Sequence, residues 1–184
     1  MLSENEYLKS IQNFETIRVE MVCHGNICRS PMAAAILHGK SLEISSPNFV
    51  VTSSGTSAIH EGEGANILSQ KTWENHGYQY RHRSQPFSTQ SFLDTDLILV
   101  ADQTNRAMIL AATTNTADRA KVFMLREFDS SLSHIDSYGK EAGELAVPDP
   151  WGFGIEAFEE VYLQIEQAVN GLISYFTNTT RKVG

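Results

Sequence analysis

One stretch of five residues limits the folds that this chain can adopt. Residues 97–101 read Leu-Ile-Leu-Val-Ala and are bounded by Asp96 and Asp102. A short apolar run between charged residues is typical of a strand that is buried on both of its faces. Such strands occur mainly in parallel sheets, whose connecting helices cover both sides. The stretch therefore predicts a central strand of an α/β fold.

The rest of the chain alternates strands with helices around this central strand. Further strands are predicted at residues 17–22, 49–52 and 122–125, and helices at residues 3–14, 30–42, 65–76, 103–112 and 155–176. Ser3 and Glu6 form a candidate capping box, and Ser30 is a candidate N-cap before Pro31. This order predicts a single-domain, open, mostly four-stranded parallel sheet with helices on both faces and a ligand site at the carboxyl ends of the strands. Residues 130–147 are polar and are expected to form a functional or mobile loop.

The first predicted strand contains a residue that conflicts with this arrangement. Arg18 and Glu20 interrupt residues 17–22, although a central parallel strand is normally apolar along its length. An unpaired carboxylate facing inward would lose its hydration at a high free-energy cost. We therefore expect Glu20 to have a partner or to face an accessible edge.

Composition and charge exclude several classes of function. The 184 residues include 14 basic and 22 acidic side chains, which give a formal net charge of −8. This balance disfavours a broad nucleic-acid-binding or anionic-membrane surface, so any anion site must be local. The chain has no run of about 18 apolar residues, and its acidic start lacks the basic and apolar segments of a secretory signal. We expect a soluble, cytoplasmic protein without nucleic-acid or membrane partners.

The two cysteines lie in the segment that joins the first strand to the second helix. Cys23 and Cys28 are five positions apart, and a disulfide closing so short a loop would stabilise little. A loop that leads into a helix N-terminus points several backbone N–H groups at one spot, which suits a phosphoryl group. Gly25 permits backbone torsions that other residues avoid, and Arg29 can donate two hydrogen bonds to one phosphate. The segment predicts a phosphate site made by His24, Gly25, Asn26, Ile27, Cys28, Arg29 and Ser30.

The same positive environment favours a reactive thiolate at Cys23. A free cysteine has a pKa near 8.5 and is mostly protonated at neutral pH, whereas helix N-termini and nearby cations lower that pKa to roughly 3.5–7.5. We therefore expect Cys23 to be a thiolate nucleophile at neutral pH.

Other interpretations of the cysteine pair are weaker. A structural zinc site needs a second pair of ligands at matching spacing, and the Cys23–Cys28 pair has no cysteine partners for it. A buried, inert pair would leave Gly25, Arg29 and the Ser30-Pro31 helix start as coincidences. The segment also lacks the G-x-x-x-x-G-K-[ST] pattern of nucleotide-binding loops. No metal ion or other cofactor is expected.

Two segments carry a resemblance to a known family. Residues 22–32 (Val-Cys-His-Gly-Asn-Ile-Cys-Arg-Ser-Pro-Met) and 147–151 (Val-Pro-Asp-Pro-Trp) resemble the two signature segments of the low-molecular-weight protein-tyrosine phosphatases. Residues 52–56 resemble the serine loop of that family, 97–105 its third strand and following turn, and 82–85 its histidine-bearing segment. The resemblance implies a flavodoxin-like fold of the phosphotyrosine phosphatase I type. It divides the chain into an N-terminal helical extension, residues 1–16, and a phosphatase domain, residues 17–184.

The resemblance also implies a two-step hydrolysis of aryl phosphate monoesters. Cys23 would attack phosphorus and form a phosphocysteine, while Asp149 protonates the departing phenolate and later activates water. Arg29 and the loop amides would stabilise the phosphoryl oxygens in both steps. Without the cysteine loop, Pro148-Asp149-Pro150 would be better explained as a rigid surface turn.

Supporting and substrate-contacting residues follow from the same resemblance. Ser30 would donate a hydrogen bond to the thiolate, and the loop shape would be held by Asn26, Ser53 and His82. The substrate pocket would be lined by His24, Ile27, His60, Trp151 and Phe153. Gly152 stands where the family often has a second aromatic residue, and His24 where it often has an aliphatic or small one. Relatives specialised for phosphoarginine tend to have threonine at the position of Ile27, so isoleucine favours phosphotyrosine.

The expected partners are phosphotyrosine-containing proteins or small aryl phosphates, with a cognate tyrosine kinase as the source of the substrate. One rival function is that of an arsenate reductase, which resembles these phosphatases but passes a disulfide to further cysteines. No cysteine follows Cys28, which disfavours this function. A second rival is a non-catalytic phosphate-binding regulatory module, in which a nucleophile and an acid would serve no purpose.

Overall fold

Four parallel strands form one sheet at the centre of the molecule. In the computed structural model, which describes residue 2 and residues 5–178, the strands are β1 (Thr16–Cys23), β2 (Asn48–Gly55), β3 (Leu97–Val100) and β4 (Val122–Met124). Their order is β2-β1-β3-β4, and every neighbouring pair is parallel. The predicted fold class is confirmed. The carboxyl ends of β1 and β3 lie side by side in the middle of the sheet.

Helices cover both faces of this sheet. They are α1 (Glu6–Ile11), α2 (Arg29–Ser41), α3 (Ile67–Asn75), α4 (Ser91–Asp94), α5 (Gln103–Ala111), α6 (Thr116–Arg119) and α7 (Ile155–Thr177). Leu97 and Leu99 face the hydrophobic cluster formed with α1, α2, α3 and α7, whereas Ile98 and Val100 face the cluster formed with α4 and α5. This alternation explains why the whole run of β3 is apolar. Within the described part of the chain, no helix is both long and apolar enough to cross a membrane.

The first helix is shorter than the predicted one. It begins at Glu6 because the side chain of Asn5 accepts a hydrogen bond from the Leu8 N–H at 3.0 Å. The predicted capping residue Ser3 lies outside the described residues. Leu8 and Ile11 are buried in the larger cluster, so the segment before β1 is part of the packed structure.

The second helix starts earlier than predicted. Its N-cap is Cys28 rather than Ser30, and no side chain caps it. The hydroxyl of Ser30 points into the interior, where it donates to the carbonyl of Ser54 at 3.3 Å. The prediction of Ser30 as N-cap is therefore wrong, because this buried hydroxyl has its partners outside the helix.

The polar stretch at residues 130–147 has more structure than predicted. It contains two 3₁₀ turns, Ser130–Leu132 and Ala142–Leu145, and a further one at Leu125–Phe128 precedes it. Its end is fixed to the sheet, because the N–H of Val147 donates to the carbonyl of Ala101 at 2.8 Å. The short helices α4 and α6 were not predicted, since four residues are too few to show a helical period.

Glu20 is buried on β1, and the expectation that it has a partner is confirmed. The hydroxyl of Ser54 on β2 donates a hydrogen bond to its carboxylate. Burial raises the pKa of Glu20, and the Ser54 hydrogen bond opposes that change. The conflict in the first strand is thus resolved by a neighbouring strand rather than by solvent.

Removal of the Leu8 side chain is expected to destabilise the whole molecule. Leu8 is 0% exposed, and truncating a buried leucine to alanine typically costs about 2–5 kcal/mol. We expect Leu8→Ala to lower the free energy of unfolding, measured by urea denaturation, by that amount. Lys9→Ala changes the next residue, which is exposed, and should stay within about 0.5 kcal/mol of the wild type. Equal stability of the two variants would contradict the packing of α1.

Candidate active site

The loop after β1 presents its carbonyl groups to the protein and its amide groups to solvent. Each carbonyl of residues 23–28 accepts a hydrogen bond from outside the loop. In order, the donors are the N–H groups of Thr56 and Ser57, the hydroxyl of Ser84, the imidazole of His82, the N–H of Asn66 and the hydroxyl of Ser69. The C=O and the next N–H of a planar peptide point in opposite directions. The N–H groups of residues 24–28, which have no protein acceptor within residues 5–178, therefore face the open side and can bind an anion.

Asn26 fixes the shape of this loop from the inside. It has a φ of 55°, in the left-handed region that asparagine tolerates better than most residues. Its amide donates to the hydroxyls of Ser30 at 2.8 Å and Ser53 at 3.0 Å, and its carbonyl oxygen accepts from the N–H of Gln85 at 3.0 Å. Gly55 permits the close approach of β2, because a Cβ there would lie 2.6 Å from the carbonyl oxygen of His24.

Cys23 lies at the base of the loop, next to the hydroxyl of Ser30. Its Sγ is 3.0 Å from the Oγ of Ser30, and that oxygen already accepts the Asn26 amide. The proton of the Ser30 hydroxyl is therefore available to the sulfur or to the carbonyl of Ser54. Both cysteines are unpaired, and burial raises the pKa of Cys28 to about 12, so Cys28 is a neutral thiol near pH 7.

Arg29 is buried among acidic groups and keeps a free donor. Its Nη1 donates to the carboxylate of Asp102 at 2.7 Å and to the carbonyl of Val147 at 3.2 Å, and its Nη2 donates to Asp149 at 2.8 Å. Burial alone would lower the pKa of Arg29, but the nearby Cys23, Asp149 and Asp102 raise it. Its Nε has no hydrogen-bond partner among the described residues although it is buried. An unsatisfied buried donor on a guanidinium is a ready contact for an anion.

Asp102 is a further site residue, which no sequence motif indicated. One oxygen of its carboxylate accepts from Arg29, and the other accepts from the N–H of Asn105 at 2.7 Å, which caps α5. Its place just beyond the central strand was the available signal, because ligand sites of parallel sheets form at the carboxyl ends of strands.

Asp149 reaches the loop through its own segment. Val147 is tied to the end of β3, and the side chain of Asp149 accepts from the N–H of Trp151 at 3.1 Å. The side chain of Asp149 is about half exposed, with 46% of its surface accessible. Gly152 has a φ of 86°, in the left-handed region that favours glycine.

A cavity of about 250 Å³ opens above the loop. It is lined by Cys23, His24, Gly25, Ile27, Cys28, Arg29, Ile59, His60, Asp149 and Trp151. The imidazole of His60 packs against the loop, because a Cβ on Gly25 would lie 2.8 Å from its Cδ2. Ile59 was not predicted, since a single exposed isoleucine after β2 carries no sequence signal. Phe153 was expected in the pocket, but it does not line the cavity and is 67% exposed.

The segment around His82 braces the loop from outside. The Nε2 of His82 donates to the carbonyl of Asn26 at 2.7 Å, which requires the tautomer protonated at Nε2. Burial lowers the pKa of His82 and outweighs this hydrogen bond, so the imidazole is neutral. Ser84 and Gln85, which the resemblance places in the same segment without assigning them a role, also contact the loop and the end of β2.

These contacts define what the arrangement can do chemically. A sulfur, several convergent amides, one guanidinium and one carboxylate share a single cavity, which suits attack on a phosphoryl group. No group of three or more histidine, cysteine or acidic side chains that could hold a metal ion is found within the described residues.

Comparisons with known proteins agree with this chemistry. Residues 18–182 match the family model described as low molecular weight phosphotyrosine protein phosphatase. A low molecular weight protein-tyrosine-phosphatase of Streptomyces coelicolor is 34% identical over 160 residues, which cover 86% of this chain and 93% of the relative. A solved structure of a protein tyrosine phosphatase from Entamoeba histolytica superposes on this chain with a TM-score of 0.77 and is 27% identical to it. The match covers 89% of this chain and 99% of the phosphatase. An arginine phosphatase from Geobacillus stearothermophilus has a TM-score of 0.74 and 25% identity, with 91% and 97% covered.

The lowered pKa of His82 predicts a dependence of stability on pH. As the pH falls, His82 is protonated in the unfolded chain, where a histidine pKa is about 6.5, at a higher pH than in the folded protein. The His82 contribution is therefore complete above pH 6.5 and is lost as the pH falls below that value. We expect the wild type to lose more free energy of unfolding between pH 7.5 and 5.5 than His82→Gln loses, as measured by urea denaturation.

His134→Gln is the matched control, because His134 is exposed. Its pH dependence should follow that of the wild type. Parallel curves for the wild type and His82→Gln would show that the buried imidazole is not the titrating group.

Proposed function

The chain belongs to the low molecular weight phosphotyrosine protein phosphatase family, and from this premise we propose that Cys23, Arg29 and Asp149 carry out a two-step hydrolysis of phosphotyrosine. One observation supports these roles above all others. The three side chains line the same cavity, with the anion-binding amides of the loop beside them. Nucleophile, charge stabiliser and acid are thus all within reach of one phosphoryl group.

The first step transfers the phosphoryl group to sulfur. The Cys23 thiolate attacks phosphorus in line with the ester oxygen, so the S–P bond forms as the P–O bond to the tyrosine ring breaks. The loop amides and Arg29 hold the three equatorial oxygens, where charge is spread in the transition state. Asp149 gives its proton to the departing phenolate oxygen, and tyrosine leaves neutral.

The second step returns the enzyme to its starting state. Asp149, now a carboxylate, takes a proton from a water molecule that attacks phosphorus from the side the phenol has left. The P–S bond breaks, inorganic phosphate forms and the Cys23 thiolate is restored. The Ser30 hydroxyl, 3.0 Å from Sγ, stabilises the sulfur as a leaving group in this step.

Substrate entry requires a rearrangement at Arg29. In this structure Asp149 accepts a hydrogen bond from Nη2 of Arg29 at 2.8 Å, which occupies a donor that the phosphate needs. A phosphate dianion competes for that donor and for the free Nε. Asp149, released from the ion pair, accepts a proton from solvent and turns toward the ester oxygen as the acid of the first step. Asp102 keeps Nη1 in place throughout, because it is anchored at the end of β3.

The rim of the cavity favours an aromatic substrate. Ile59 and Trp151 are 70% and 63% exposed at its mouth, where they can contact a phenol ring. Ile27, a residue of the loop, also lines the cavity and gives its wall an apolar surface, which suits a ring better than a guanidinium group. The solved arginine phosphatase similar to this chain raises phosphoarginine as a second substrate class, and the apolar rim argues for phosphotyrosine.

The residues present fit neither of the two rival functions. An arsenate reductase needs a cysteine relay, and the sequence has no cysteine beyond Cys28. A binding module needs neither the sulfur nor Asp149, which both line the cavity.

The proposed reaction has requirements beyond the site. A tyrosine kinase must supply the substrate, so we propose such an enzyme as a partner of the same system. The free thiols fit a reducing compartment, which supports the cytoplasm as the place of action.

Two variants separate the proposed roles of nucleophile and acid. Cys23→Ser is expected to abolish hydrolysis of aryl phosphates in the presence of a chelator, and with it any phosphoenzyme trapped by denaturing quench. Asp149→Asn should lower kcat/KM for phenyl phosphate by about 10²–10⁴-fold, since its leaving group needs the proton. The loss should be much smaller for p-nitrophenyl phosphate, whose leaving group is far more acidic.

Glu156→Gln serves as the control, because Glu156 is an exposed acid on the first turn of α7. Glu156→Gln should leave kcat/KM for both substrates at the wild-type value. Retained turnover in Cys23→Ser would reject the nucleophile, and an equal loss on both substrates in Asp149→Asn would reject the acid.

Substrate preference is expected to depend on Trp151. A phosphotyrosine peptide should be hydrolysed with a higher kcat/KM than phosphoserine or phosphoarginine peptides of the same sequence. Trp151→Ala should lower kcat/KM for phosphotyrosine by roughly 2–13-fold, the equivalent of an aromatic contact. Phe153→Ala removes a neighbouring exposed aromatic residue outside the cavity and should change it less than about twofold. Equal losses in the two variants would contradict the assignment of the rim.

A further inference from the structure

A segment with no catalytic group runs along the outer side of the loop. The hydroxyl of Ser84 donates to the carbonyl of Gly25 at 3.0 Å, and the side chain of Gln85 donates to the carbonyl of Ser53 at 3.0 Å. Backbone bonds hold the segment itself. The N–H of Ser84 donates to Glu63 and its carbonyl accepts from Gly62, each at 2.8 Å. The Ser84 hydroxyl is thus carried by a fixed backbone.

The contact of Ser84 with Gly25 controls a peptide that faces the cavity. The carbonyl of Gly25 and the N–H of Asn26 belong to one rigid plane and point in opposite directions. A hydroxyl that holds the carbonyl on the outside therefore holds the N–H on the side where the phosphate binds. Ser84 is only 4% exposed, so water cannot readily replace its hydroxyl.

This peptide is the one in the loop that is most prone to turn over. A half-turn of the peptide changes the ψ angle of Gly25 and the φ angle of Asn26. Glycine accepts either ψ without a steric penalty. Asn26 would move from its φ of 55° into the negative region that L-residues prefer. The turned peptide would point the carbonyl oxygen of Gly25 at the phosphate and remove the Asn26 N–H as a donor. The conformation that binds phosphate therefore needs a restraint from outside the loop.

We propose that Ser84 is a positioning residue of the phosphate site, whose hydroxyl keeps the Gly25–Asn26 peptide turned with its N–H toward the phosphoryl group. The proposal rests on the proposed function, because it assigns the phosphate to the cavity above the loop. Ser84 is not among the residues that line the cavity above the loop. Its effect on the reaction passes through the backbone of the loop.

The test compares Ser84→Ala with the wild type in three measurements. A neutral hydrogen bond contributes about 1 kcal/mol, which corresponds to about fivefold in affinity. We expect the inhibition constant of inorganic phosphate to rise about fivefold and kcat/KM for p-nitrophenyl phosphate to fall at least as much. In a ¹⁵N-labelled sample, the shift of the Asn26 amide signal on addition of phosphate should shrink in the variant.

Two further variants separate positioning from general stability. Ser84→Thr keeps the hydroxyl and should restore the phosphate inhibition constant to within about twofold. Thr95→Val removes another buried hydroxyl, which does not contact the loop. This hydroxyl donates a hydrogen bond of 2.6 Å to the carbonyl of Ser91. Thr95→Val should lower the thermal midpoint about as much as Ser84→Ala while leaving phosphate inhibition and the Asn26 signal as in the wild type.

The outcomes that would overturn the proposal are distinct from those that would overturn the proposed function. If Ser84→Ala binds phosphate as the wild type does and the Asn26 signal responds equally, Ser84 does not position the peptide. The same conclusion holds if Thr95→Val reproduces every effect. A wild-type protein that neither hydrolyses p-nitrophenyl phosphate nor binds phosphate would contradict the function itself, and the role of Ser84 with it.

Discussion

The site depends on the direction in which a few peptide groups point. Six consecutive carbonyls of the loop are bound by donors on the outside, and the amides between them are left for a ligand. Backbone amides are weak donors one at a time, but several of them aimed at one point make a strong anion site. Because each direction is set by a donor on another segment, the anion site exists only when the end of β2, the start of α3 and the segment 82–85 are all in place.

Charge reinforces this geometry within a protein that is acidic overall. Arg29 is buried between Asp102 and Asp149, and its two partners have different environments. Asp102 is anchored by the N-terminus of α5 and acts as a fixed counter-charge, whereas Asp149 is half exposed and sits on a segment held at Val147. The fixed partner orients the guanidinium, and the exposed partner is free to exchange places with a phosphate. One arginine can thereby serve both the resting and the occupied site.

The rim of the cavity shows how the scaffold combines a rigid base with an adjustable entrance. Gly152 adopts a left-handed backbone conformation, and of the two aromatic residues beside it Trp151 lines the cavity whereas Phe153 does not. Ile59 and His60 also line the cavity and belong to the segment after β2. These side chains belong to loops, where exchange of residues changes recognition without disturbing the sheet.

Local chemistry determined a large part of this protein before any tertiary contact is considered. The apolar run of β3 required burial on both faces, and the order of strands and helices led to the parallel sheet. The residues from Cys23 to Arg29 marked the phosphate site, because glycine, arginine and a helix start are needed close together in sequence for that purpose. The motif around Asp149 gained meaning only beside that loop.

Tertiary structure decided everything that depends on contacts between distant segments. Asp102 reaches Arg29 because β3 lies next to β1 in the order β2-β1-β3-β4. Ser84 reaches the loop because residues 85–87 are hydrogen-bonded to Gly55 at the end of β2. Ile59 lines the cavity from the segment that follows β2. The partner of Glu20 is a hydroxyl on β2. The hydroxyl of Ser30 contacts the sulfur of Cys23 in the interior and does not cap the helix. The physical reason is the same in each case. A hydrogen bond depends on the positions of two groups in space, and the sequence alone does not show which groups tens of residues apart come together.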